Sequence, residues 1–160
     1  MRRLLLALLL GAQMAAAPVA AAPAPTLALA GKITINGDSF TVDDTKHQAT
    51  FSGHVVVTHT QLNLTADQVV AFYGAAGASS IKSFEATGHV KIVTKEQTAT
   101  GDRAVFDPKT RLLHLTGNVV VDSASGEVKS SELLVDLNKN TSVFSGTKSG
   151  GRVTGVFTSQ

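Results

Sequence analysis

The chain has 160 residues, a formal net charge of +2 and no cysteine, which excludes a small disulfide scaffold. Arg2 and Arg3 supply the whole excess of positive charge, because the remaining 12 basic side chains face 12 acidic ones. A balanced working domain gives no basic surface for nucleic acid, and its length fits one domain.

Met1-Arg2-Arg3 leads directly into Leu4 to Leu10 and then an Ala-rich stretch broken by Pro18, Pro23 and Pro25. That is the layout of a secretory signal. The apolar core is shorter than the roughly 20 residues of a membrane span, which favours cleavage over a retained anchor. Cleavage is expected after Ala21, so that residues 1–21 are the signal, with the end of Ala28-Leu29-Ala30 as the alternative site. Residues 22–31 are expected to be a flexible Ala/Pro-rich start, and residues 32–160 the domain. Arg2-Arg3 runs into leucines without further recognition residues, so the general secretory route, and with it the periplasm, is expected.

From Ile33 onward Val, Thr, Ile and Phe alternate with polar residues, the mark of strands with one buried face. An opening segment, Ile33 to Asp43, is followed by Thr50-Phe51-Ser52-Gly53-His54-Val55-Val56-Val57-Thr58. The same pattern returns at Glu85 to Ile92, at His114 to Val121, and begins again at Val143-Phe144-Ser145-Gly146. Each copy has an apolar residue two places before the glycine, and the three full copies have apolar residues two and four places after it. A second strand is expected to begin near Asp67, Asp102 and Glu132, which follow the glycines by 14, 14 and 15 residues. These spacings predict a repeat in which each unit adds a pair of strands to a stack. Gly74 to Ser80, Asp107 to Thr110, Asp122 to Gly126 and Asn138 to Asn140 have turn chemistry.

Strict alternation puts Phe51, Val55 and Val57 on one face, and likewise Ala86, Val90 and Ile92, and Leu115, Val119 and Val121. The glycines fall in the same register and are expected to permit a bend or bulge. Sharper chemical readings are weaker. His54 and His89 recur at one repeat position with His59 nearby, but Asn118 replaces them in the third copy and no ligand spacing accompanies them, so no metal is expected. Asp67, Asp102 and Glu132 recur as repeat features and not as a converging acid–base pair. Gly74 to Gly77 lacks the lysine and helix of a phosphate loop, and no nucleophile elbow is present.

Four stretches together carry a family resemblance: Ala49 to Val57, Leu64 to Val70, Leu115 to Val119, and Gly151 to Phe157. Over Ile33 to Gln160 the sequence resembles the OstA-like domain family of periplasmic lipopolysaccharide-transport proteins of the LptA type. The resemblance implies an all-β fold, an open, twisted β-jellyroll built from repeated strand pairs, and a non-enzymatic carrier without a cofactor. It implies that acyl chains of lipopolysaccharide, its lipid A part, lie in an apolar groove on the way from inner to outer membrane. The expected lining is Ile33, Ile35, Phe51, Val55, Val57, Leu62, Leu64, Val69, Ala104, Phe106, Leu115, Val119 and Val121. Implied partners are an LptC-type inner-membrane protein at the first strand, an LptD-type outer-membrane protein at the last, and a second copy joined head to tail, all by edge-strand pairing. An LptC-like or other OstA-domain component of the same system is the neighbouring reading, and a structural β-stack that binds no lipid is the more distant one. The sequence departs from the family in lacking a charged carboxy-terminal tail, in the polar-flanked Gly88-His89-Val90-Lys91, and in Asp136, where the family often has an aromatic.

Overall fold

A computed structural model describes residues 32–147 and 151–158, so the expected signal and Ala/Pro-rich start lie outside the described residues. The alternating segments form ten strands: β1 (Thr34–Asn36), β2 (Ser39–Asp43), β3 (Gln48–Thr58), β4 (Leu62–Gly74), β5 (Gly77–Thr94), β6 (Gln97–Asp107), β7 (Leu112–Ser123), β8 (Gly126–Asp136), β9 (Thr141–Ser145) and β10 (Thr154–Phe157). Among the described residues there is no helix. Every pairing is antiparallel, and β3 to β8 follow one another in chain order. The sheet does not close. At one edge β1 and β2 both pair with β3, and at the other β9 and β10 both pair with β8.

The repeated glycines set the shape. Gly53-His54, Gly88-His89 and Gly117-Asn118 all have positive φ, between 45° and 79°. The strand register shifts at these pairs, between Ser52 and Val55, Thr87 and Val90, and Thr116 and Val119. Two residues of β3, β5 or β7 thus oppose one residue of the next strand, which is a β-bulge that bends the strand and increases its twist. Glycine suits the first position because a Cβ is disfavoured there.

Two expectations are corrected by this geometry. The absent side chain of each bulge glycine does not face the lining. A Cβ on Gly53, Gly88 or Gly117 would run into the carboxyl group of Asp38, Asp67 or Asp102 respectively, and the Asp38 and Asp67 side chains are well exposed. Nor do Asp67 and Asp102 open strands; they lie inside β4 and β6, opposite the bulges. In β8 the residue opposite the bulge is Ser131, because Thr116 pairs with Glu132 and Val119 with Ser130. Glu132, one place further on, bonds instead to His114.

The even strands change face at this point. Ala66 and Val69, three apart, are both buried, as are Gly101 and Ala104, and Ser130 and Leu133. On β3, Phe51 and Val55 keep the same face across the bulge, four apart, with both in the core cluster or packed on it. The core cluster draws on β3 through β8, with Val55 and Leu115 at 0% exposure. With no helix or second sheet among the described residues to cover that face, the sheet buries it by curling over itself.

Candidate functional site

Three cross-strand ladders build the inner face. The first runs Ile35, Val57, Leu64, Ile92, Ala99. On the other side of the bulges come Val69, Ala86, Ala104, Leu115, Leu133, and then Phe84, Phe106, Leu113, Val135. All of these residues line one cavity of about 160 Å³, together with Ile33, His59, Leu62, Thr94, Gln97 and Leu137. Its wall is aliphatic and aromatic except at His59, Thr94 and Gln97, near the β3–β4 and β5–β6 turns. For scale, an apolar protein cavity of roughly 150 Å³ stays dry and takes a benzene molecule. The arrangement shelters hydrocarbon. It offers no array of charges, since no Asp, Glu, Lys or Arg is in the wall.

Of the residues expected from the sequence, Ile33, Ile35, Val57, Leu62, Leu64, Val69, Ala104, Phe106 and Leu115 are placed in the cavity wall. Phe51, Val55, Val119 and Val121 lie outside it, in or against the packed core beside it, with Val55 and Val119 at 0% and 1% exposure. These four share the inner face, where Val55, Val119 and Val121 are already covered by neighbours and Phe51 is half-buried against them. The sequence reading missed Phe84, Ala99, Leu113, Leu133, Val135, Leu137, His59, Thr94 and Gln97 as wall residues. For Phe84 and Leu113 the signal was present, because each extends the alternation of Ala86 or Leu115 by two places. Asp136 does not interrupt the wall: Val135 and Leu137 on either side line it, while the Asp136 carboxylate accepts backbone N–H bonds from Asn138 at 2.9 Å and Lys139 at 3.0 Å. The Lys139 N–H above all holds its carboxyl below the usual range.

Apart from His59, which is buried in the wall, the polar candidates sit off the wall. His54 Nδ1 meets Asp38 Oδ2 at 2.7 Å, His89 Nδ1 meets Asp67 Oδ2 at 2.8 Å, and Asn118 Nδ2 donates to Asp102 Oδ2 at 2.9 Å. Each pair ties a bulge to the chain segment before it. The Asp38 carboxylate, by hydrogen bond and then by charge, raises the His54 pKa above its ordinary value. Arg103 donates two bonds to Glu85, at 2.7 and 2.9 Å, and holds that carboxyl low. Asp67, Asp102 and Glu132 are therefore engaged one by one with His89, Asn118 and His114.

Comparison with known proteins places this geometry. The family described as LptA/(LptD N-terminal domain) LPS transport protein matches residues 34–141. Among solved structures, the chain is similar to LptH, described as the LptA homologous periplasmic component of the lipopolysaccharide transport device from Pseudomonas aeruginosa. The TM-score is 0.69 at 17% identity, over 80% of this chain and 96% of that one. At that identity the likeness shows the fold, an open β-jellyroll. No curated protein matches by sequence.

Proposed function

The chain belongs to the LptA/(LptD N-terminal domain) family of LPS transport proteins, and from that premise we propose that it is a periplasmic carrier of lipopolysaccharide. It holds acyl chains of lipid A in the apolar trough and passes the lipid from the inner towards the outer membrane. The observation that carries this reading is the trough itself, walled by Ile, Leu, Val and Phe side chains on one face of a sheet that does not close. Each methylene kept from water gains about 0.8 kcal/mol, so a chain of ten or more carbons crosses an aqueous space only under such cover. The volume of about 160 Å³ suits a segment of hydrocarbon, and the unclosed sheet lets the walls part for more.

In this reading the two sheet edges continue the trough into neighbours. An LptC-type partner adds to the β1/β2 edge, and an LptD-type partner or a second copy adds to the β9/β10 edge, each by strand pairing. The carrier needs no cofactor and performs no chemistry on its cargo. Photo-crosslinking tests the central point. A photoreactive residue at Phe106, in the wall, should capture lipopolysaccharide in cells, while one at His54, on the outer face, should not. Equal capture at both positions would defeat the proposal.

A further inference from the structure

The chain has five asparagines, and only Asn36 is followed by a glycine. Asn36 and Gly37 are both exposed, where the chain leaves the end of β1. The Asn36 carboxamide makes no hydrogen bond among the described residues. The Asp38 N–H faces β3 and donates to the Gly53 carbonyl at 2.9 Å, so by alternation the Gly37 N–H faces the other side. Since β1 pairs with β3 alone, no strand covers that side among the described residues. An unengaged side-chain amide thus stands beside an unengaged backbone nitrogen.

The other asparagines lack this combination. Asn118 Nδ2 donates to Asp102 at 2.9 Å and Asn138 Nδ2 to the Thr110 carbonyl at 2.8 Å. Asn63 lies within β4, paired to Thr58 on one side and Val93 on the other. All four are followed by residues with a Cβ, namely Leu64, Val119, Lys139 and Thr141, which crowds the backbone nitrogen that would have to approach the amide.

We infer that Asn36-Gly37 is a site of spontaneous deamidation, and that its isoaspartate product breaks the seating of β1 on β3. The deprotonated Gly37 nitrogen attacks Asn36 Cγ; a C–N bond forms, the Cγ–Nδ2 bond breaks, and the amide leaves as ammonia. Water then opens the succinimide at either carbonyl, giving aspartate or isoaspartate at position 36. Ring closure needs Asn36 to leave the extended conformation. A three-residue strand at the sheet edge opens for this at small cost. Isoaspartate carries the main chain through Cβ and lengthens it by one carbon. The Ile35–Val57 pairing and the Asp38 bond to Gly53, set on either side of Asn36, then no longer fit together. Ile35 stands in the trough wall, so the wall changes with the strand. The site itself does not depend on what the trough carries.

Incubation of the purified folded protein at mildly alkaline pH tests the site, with peptide masses for the amide-to-acid change and isoaspartyl methyltransferase labelling for the product. Asn36 should be converted ahead of the other four asparagines. Gly37→Ala should slow conversion by roughly tenfold or more, because a Cβ then flanks the attacking nitrogen. The fold accepts that substitution: the nearest atom to the added Cβ is the Ser52 carbonyl oxygen at 3.4 Å, and Gly37 is not among the residues with positive φ. The same incubation in urea gives the rate of the unfolded chain. Conversion of Asn36 in urea but not in the folded protein would show that the strand protects it, and would overturn the site. Faster conversion at another asparagine of the folded protein would do the same. The isoaspartate form, separated by ion exchange, should lose the cross-strand NMR contacts between β1 and Val57; their survival would overturn the effect on β1.

Discussion

The carboxyl group of Asp67 fills the space that a side chain on Gly88 would need: a Cβ there would lie 2.7 Å from Asp67 Cγ, and Gly88 has φ +77°. Two costs therefore combine in Gly88→Ala, a left-handed backbone and a clash, and the expected loss is about 1–3 kcal/mol. Urea denaturation measures it. Gly77→Ala separates the two terms, since Gly77 has φ +70° but nothing within 4 Å of its Cβ position. Its loss should be the smaller. In an Asp67→Ala background, Gly88→Ala should cost less than it does alone, because the contacts with the carboxyl group have gone and only the Cβ at position 67, 2.8 Å from the added Cβ, remains beside the backbone term.

The same relationship explains what could be read from the sequence. The β-class, the repeat and the inner face of β3, β5 and β7 were legible, because Phe51, Val55 and Val57 and their counterparts keep one parity through the bulge. On β4, β6 and β8 parity breaks at the residue opposite the bulge, and no local pattern announces a break that the neighbouring strand imposes. Glu132 illustrates the difficulty, since it looked like the counterpart of Asp102 while Ser131 holds that place. His59 was hidden for another reason: a histidine at a strand end reads as solvated, and only the curl of the sheet buries it.

Core and wall residues should separate in their effects. Val119 is 1% exposed and outside the cavity wall, so Val119→Ala removes packing and should cost roughly 1–3 kcal/mol of stability. Its acyl-chain affinity, measured on folded protein, should stay within about twofold, because no wall contact is lost. Phe106→Ala removes a wall side chain that is only half-buried. It should weaken acyl binding by about tenfold, a loss of roughly 1.4 kcal/mol. Equal effects of the two substitutions on binding would mean that the wall assignment does not describe the cargo site.

Stability should also respond to pH through the outer-face pairs. His54 has its pKa raised above 6.5 by Asp38 chiefly, with Asp67 adding to it. Its contribution is full below the unfolded value near 6.5 and is lost as pH rises through the folded value. Glu85 has its pKa lowered from 4.5 by Arg103, so its contribution is present above that value and fades as pH falls through the folded one. These two pairs therefore favour the window between about 4.5 and 6.5. Both are solvent-accessible, so the effects should be small and weakened by salt. An NMR titration should find His54 above 6.5 in the unaltered protein and lower in Asp38→Asn; an unmoved titration would show that the pair does not form in solution.

The final expectation concerns β10. It pairs with Gly126 to Lys129 of β8 on one side and has no strand on the other among the described residues. Edge strands are usually shielded by charge, brevity or distortion, because their free N–H and carbonyl groups template further pairing. Here brevity is the only shield: Val156 and Phe157 are 63% and 72% exposed, and the opposite edge carries Phe40 and Val42 at 56% and 50%. Two apolar edges on one open sheet fit addition of a further strand at each end. The Thr158 N–H faces β8 and donates to the Ser125 carbonyl, so by alternation the Phe157 N–H faces the free side; Phe157→Pro removes that donor and should lower head-to-tail assembly, read as a weaker rise of mass with concentration in light scattering. Phe157→Ala keeps every backbone donor and removes only the ring, so it divides strand pairing from side-chain packing. Assembly lost in the proline variant and largely kept in Phe157→Ala would place the contact in the backbone. Equal losses would place it in the exposed apolar side chains, and assembly unchanged in both would remove β10 from the interface.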